Sequence, residues 1–123
     1  MTYAMGSETE LTTRLARLGF QAWHCRSAVV EHIIRPSQLT EAWLRRRAER
    51  FGRRSCRLEY EELMRDNPRL FGVPRYLLRQ ILARSWHVLR ERCKGDRTEM
   101  FAAQLELSLL IGKAREARRL QRT

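Results

Sequence analysis

The 123-residue sequence predicts an α+β chain that is mostly α, in which one helix and two short strands precede an all-helical tail. Three observations carry that expectation. Apolar residues recur at helical spacing in long segments, as in Leu77, Leu78, Ile81, Leu82, Trp86 and Leu89. Two short runs, 20–25 and 28–34, are instead rich in aromatic and β-branched side chains. Gly19, Gly52 and Gly95, with Pro36, Pro68 and Pro74, punctuate the chain where such elements should stop or start.

The elements follow in order. Ser7 and Glu10 stand three apart, the spacing of a capping box in which each side chain satisfies an orphan backbone N–H. Leu11, Leu15 and Leu18 then give one apolar face, and Gly19 supplies a left-handed stop, so a helix is expected over residues 8–18. Arg26-Ser27 separates the two strand-like runs, and Pro36 ends the second. From Thr40 the pattern is helical: Leu39, Trp43, Ala48 and Phe51 lie near one face, Arg45, Arg46 and Arg47 point mostly away, and Gly52 is expected to end the segment. Residues 57–66 make a weaker helix, broken at Asn67-Pro68. Pro74 suits the first turn of a long helix reaching about residue 93, with Gly95 as its stop. Asp96 and Glu99 open a last helix to about residue 119, in which Gly112 is a weak point. The natural boundary lies between a small α/β piece (residues 1–39) and an Arg-rich helical tail (residues 40–123).

Composition bounds the functional classes. With 43% hydrophobic and 32% charged residues, the chain has enough apolar material for one packed domain and is not of disordered composition. The longest nearly uncharged stretch, 100–112, still holds Gln104, Glu106 and Ser108, which excludes it as a spanning helix. Residues 1–6 lack the basic and apolar regions of a secretory signal, and Cys25, Cys56 and Cys93 are odd in number and widely spaced. Reduced thiols and a cytoplasmic location are expected. The net charge of +11 is almost all arginine, since Lys94 and Lys113 are the only lysines. Such a surface suits phosphates, nucleic acid or anionic lipid, and equally describes solvated helix faces. A nucleic-acid-binding module is one alternative, motivated by Arg45–Arg47 and Arg53-Arg54 but weakened by the spread of basic residues over several helices. Attachment to the inner face of an anionic membrane, with Trp43 or Trp86 at the interface, is another.

Few residues carry chemistry by pattern alone. Glu8 and Glu10 sit at a helix N-terminus, where the dipole favours carboxylates, and on spacing they read first as capping acids. His32 closes an apolar run beside Glu31, where a lone histidine reads first as a packed or surface residue. A zinc site built from His24, Cys25, His32 and Cys56 lacks any short paired spacing, and there is no Gly-rich phosphate loop. The residues by themselves reach a basic, mostly helical domain with a candidate acidic site.

A resemblance extends this. Gly6-Ser7-Glu8-Thr9-Glu10-Leu11-Thr12-Thr13-Arg14-Leu15, then Gly19-Phe20, then Ala28-Val29-Val30-Glu31-His32, resembles the back half of the catalytic domain of bacterial family-2 glycosyltransferases with the GT-A fold. That family shows Gly-Glu-Asp-x-Glu/Asp-Leu-x-x-Arg-Leu, a glycine ending the helix, a short strand pair and a Val-x-His element. Arg35-Pro36-Ser37-Gln38-Leu39-Thr40, the arginine-rich helix and Leu70-Phe71-Gly72-Val73-Pro74-Arg75-Tyr76 resemble, more loosely, the segments that follow. The resemblance implies transfer of a sugar from a nucleotide-sugar donor to a glycan or lipid-linked acceptor hydroxyl. It implies Glu8 as catalytic base, in place of the family's Asp and with Ser7 replacing the neighbouring Glu. It further implies His32 as a ligand of a divalent Mg²⁺ or Mn²⁺ on the diphosphate. The nucleotide-binding half and its Asp-x-Asp motif have no counterpart here, since Asp66 and Asp96 are the only aspartates. The chain alone is therefore expected to be inactive and to hold neither cation nor nucleotide tightly. Strand edges left open by a missing sheet would favour homo-oligomers.

Overall fold

The computed structural model describes residues 7–65 and 67–122, with side chains for 11–62 and 67–122. It is mostly helical, with α1 (Ser7–Arg17), a 3-10 turn (Pro36–Leu39), α2 (Glu41–Leu58), α3 (Tyr60–Arg65), β1 (Arg69–Leu70), β2 (Val73–Pro74), α4 (Arg75–Lys94) and α5 (Arg97–Leu120).

Local chemistry explains the boundaries. At the end of α1 the Gly19 N–H donates to Ala16 O and the Phe20 N–H to Leu15 O, the paired bonds of a Schellman stop. This places Gly19 at φ 87°, a left-handed conformation that a side chain would resist. Thr40 caps α2, its Oγ1 accepting from the Trp43 N–H at 3.2 Å. Asp96 caps α5 more fully, accepting from the N–H groups of Thr98 and Glu99. Pro74 precedes the first residue of α4 rather than occupying its first turn, because it also serves the short hairpin in which Arg69 faces Pro74 and Leu70 faces Val73.

Two glycines behave differently from expectation. Gly52 does not end α2, which runs six residues further to Leu58, and Gly112 does not weaken α5. They mark where these helices touch. A Cβ on Gly52 would collide with the backbone carbonyl of Leu109, and one on Gly112 with that of Glu49. The missing side chains let the two backbones meet, and the packing gained offsets the roughly 1 kcal/mol helix-propensity cost of each glycine.

Register follows from cross-helix pairs. Arg45 meets Gln104 and Arg57 meets Glu116, so α2 and α5 run parallel. Arg84 meets Glu106 while Gly72 lies beside Gln121, so α4 returns antiparallel along α5. The chain thus goes up, down and up through α2, α4 and α5, with α5 packed against both others. The core is small: Cys56 and Ala117 are fully buried with Tyr60 against them, and Val73, Leu77 and Ala103 are buried elsewhere along the seam.

The strand expectation for residues 20–25 and 28–34 is corrected. Those residues are irregular chain around a turn at Arg26-Ser27 and form no ladder among the described residues; the two-stranded antiparallel sheet is β1–β2 instead. Their side chains are exposed throughout, Trp23 at 89% and Val30 at 88%. Aromatic and β-branched residues favour a strand only where a partner strand and a covering layer exist, and the described residues place neither beside this segment.

Candidate functional site

The candidate site of the N-terminal third begins with α1. Glu8 lies in its first turn, and the Ser7–Glu10 capping box and the Glu8 carboxylate fall outside the described side chains. Beyond the Gly19 stop of α1, His32 is exposed on the second apolar run, after Val29 and Val30. His24 and Cys25 are exposed on the first run, while Cys56 is buried beneath α5, so the four residues weighed as a zinc set are divided between the surface and the core. Among the described residues no three His, Cys, Asp or Glu side chains are grouped to hold a metal ion. His32 supplies one imidazole donor, and this chain's described residues do not complete a cation site around it.

The thiols differ in character. Cys56 is pushed up to about 11, first by burial and then by the nearby Glu116 carboxylate, and stays a protonated packing group. Cys25 is drawn below its ordinary value by hydrogen bonding, first from the Ser27 hydroxyl at 3.2 Å.

The helical unit uses much of its arginine internally, which the sequence pattern did not reveal. Glu49 accepts from Arg53 at 2.7 Å and from Arg115 at 2.6 Å, bridging α2 to α5. Glu116 accepts from Arg57 Nε at 2.6 Å and Arg119 Nη2 at 2.7 Å. Burial acts to raise both carboxyls, yet the bonds from their arginines outweigh it together, and both lie below the usual carboxylate range. Glu91 is similarly enclosed by Arg90 and Lys94, each at 3.0 Å. Lys113 pairs with Glu59 at 2.9 Å. The Arg115–Glu49 and Arg57–Glu116 pairs join α2 to α5, while the Glu91 pairs lie within α4. Arg47 of the basic cluster stacks over the Trp43 ring at 5.1 Å, a cation–π contact on α2 itself.

An open groove of about 470 Å³ lies between α4 and α5, lined by Gln80, Ala83, Arg84, His87, Leu109 and Leu110. Arg84 is held across it by Glu106 at 3.0 Å, so its most basic lining group is already paired. No helix among the described residues is long and apolar enough to cross a membrane. No family model matches the chain, and neither a curated protein nor a solved structure is significantly similar to it.

Proposed function

We infer that this chain is the C-terminal part of a GT-A type, nucleotide-sugar-dependent glycosyltransferase, inactive by itself. The observation that supports the reading is the uncovered apolar segment. Phe20, Trp23, Val29, Val30, Ile33 and Ile34 are all exposed on irregular chain that pairs with no strand among the described residues. The helical unit of residues 41–122 closes its own core without them. A segment of strand-forming composition left in this way suits a sheet supplied by another part of a larger domain. The order helix, left-handed glycine, apolar run and histidine is the order of the family motif that the sequence resembles.

In the complete enzyme, Glu8 is the base. Its carboxylate takes the proton from the acceptor hydroxyl as the oxygen attacks the anomeric carbon in line and the nucleoside diphosphate departs. Its side chain is one methylene longer than the family's Asp, so the acceptor oxygen must sit correspondingly further from the backbone of α1. A divalent cation, when bound, neutralises the leaving diphosphate. His32 would contribute one donor toward it, and the remaining ligands would have to come from the nucleotide-binding half.

Calorimetric titration with nucleoside diphosphate sugars in Mg²⁺ or Mn²⁺ tests the reading. The 123-residue chain should show no binding and no transfer. Tight metal-dependent binding by this chain alone would overturn it. The DNA immediately upstream should encode strands alternating with helices and an Asp-x-Asp, and a chain extended to include them should gain activity. In that longer protein Glu8→Gln should lower kcat by about 10²-fold or more.

A further inference from the structure

We propose that the outward face of α4 is a docking surface for an anionic lipid bilayer. The inference stands apart from the glycosyltransferase reading, since it rests only on the helical unit. α4 is anchored on its inner side by Leu77 and Glu91, 1% and 4% exposed and two heptads apart on one face. The opposite face carries Leu82, Trp86 and Leu89 at spacings of four and three, which aligns them in one stripe. They are 70%, 68% and 51% exposed, an unusual concentration of large apolar surface on a helix of a chain this charged.

The charges around that stripe have one sign. Arg75 and Arg79 continue it toward the N-terminus of α4 and Arg92 flanks it, all three exposed, while Arg90 on the other flank is bonded inward to Glu91 at 3.0 Å. The only acid in α4 is Glu91, which is buried on the inner side beneath Arg90 and Lys94. An apolar centre ringed by arginines matches the boundary between acyl chains and anionic headgroups: Leu82 and Leu89 reach the hydrocarbon, Trp86 sits at its edge and the guanidinium groups meet phosphates. A second copy of the chain is a poorer occupant, because a two-fold pairing through this face would set the same arginines against each other. Nucleic acid would satisfy the arginines and leave the leucines in water. Trp43, the other tryptophan of the helical unit, is half-buried and stacked with Arg47, so it does not share this role.

Vesicle flotation of the full 123-residue chain tests the proposal, with pure phosphatidylcholine vesicles and with vesicles containing phosphatidylglycerol. The chain should float only with the anionic vesicles. With Trp23→Phe and Trp43→Phe present, the Trp86 emission should shift to the blue on binding. The Leu82→Gln/Trp86→Gln/Leu89→Gln variant, at positions where folding does not depend on burial, should retain its circular dichroism and lose binding about tenfold or more. Arg75→Gln/Arg79→Gln should weaken partition about 25-fold, at roughly fivefold per arginine near an anionic leaflet. Arg26→Gln/Arg46→Gln removes the same charge elsewhere and should weaken it far less. Equal losses from the two arginine pairs, unchanged binding by the apolar variant, or an unshifted Trp86 emission would each overturn the proposal. So would a dimer that the apolar variant dissolves without any vesicle binding, or an oligonucleotide that outcompetes the vesicles for this face.

Discussion

Residues 18–34 and residues 41–122 carry the same kinds of apolar side chain and put them to opposite uses. In the helical unit, small residues sit where helices touch: Gly52, Cys56, Ala103, Gly112 and Ala117 are buried, with the larger Leu77 beside them. In the irregular segment the largest groups, Trp23, Phe20, Ile33 and Ile34, face outward. Hydrophobic composition therefore does not by itself say where a core is. What matters is whether a second surface lies within reach: α5 provides one for α2 and α4, but among the described residues none stands over residues 18–34.

The comparison is broken most severely at the helix crossing. Gly112→Ala should destabilise the chain by about 3 kcal/mol in a urea melt, since the added methyl forces α5 off the Glu49 carbonyl and the roughly 1 kcal/mol gain in helix propensity does not compensate. Leu77→Ala should cost about 2–3 kcal/mol by opening a void beside α5. Glu116→Gln follows at about 2 kcal/mol, because Arg57 and Arg119 lose the shared carboxylate charge and keep at best a neutral acceptor. The Glu116 carboxyl is below the usual range in the folded chain, so its contribution is present above the unfolded-state value near pH 4.3 and lost as pH falls through the folded one. Stability measured from pH 6 down to pH 3 should therefore decline more steeply in the parent chain than in Glu116→Gln. Smallest of all, Trp23→Ser should change the melting free energy by less than about 0.5 kcal/mol, because the indole it removes is solvated.

Much of the helical architecture was legible in the sequence. Gly19, Thr40, Gly95 and Asp96 carry local signals whose chemistry involves only their immediate neighbours, and the helix ends they mark are close to those found. Gly52 misled because a glycine that ends a helix and a glycine that admits another backbone look alike until the second helix is placed. The partner, α5, lies more than fifty residues away, and a repeat of glycine at positions 52 and 112 is too weak a signal to pair them. The carboxylate hubs at Glu49 and Glu116 were invisible for the same reason, since each recruits one arginine from its own helix and one from the other. Strand propensity in residues 20–25 and 28–34 was read from composition, but a strand is a property of a pair, and these residues pair with none among the described residues. Of the candidate site, Glu8 lies in the first turn of α1 and His32 on the irregular segment after it, and the roles proposed for them depend on a nucleotide-binding half that the proposal assigns to another segment.

The central contrast is best tested by amide hydrogen exchange of the whole chain, followed by mass spectrometry of its peptides. Amides of α2 and α5 should be protected about a thousandfold or more, reflecting cooperative opening of the helical unit, while those of residues 20–34 should exchange at nearly the unprotected rate. Protection in residues 20–34 comparable to that of α5 would contradict the account, because it would mean that this segment is already paired within the chain and needs no sheet from elsewhere.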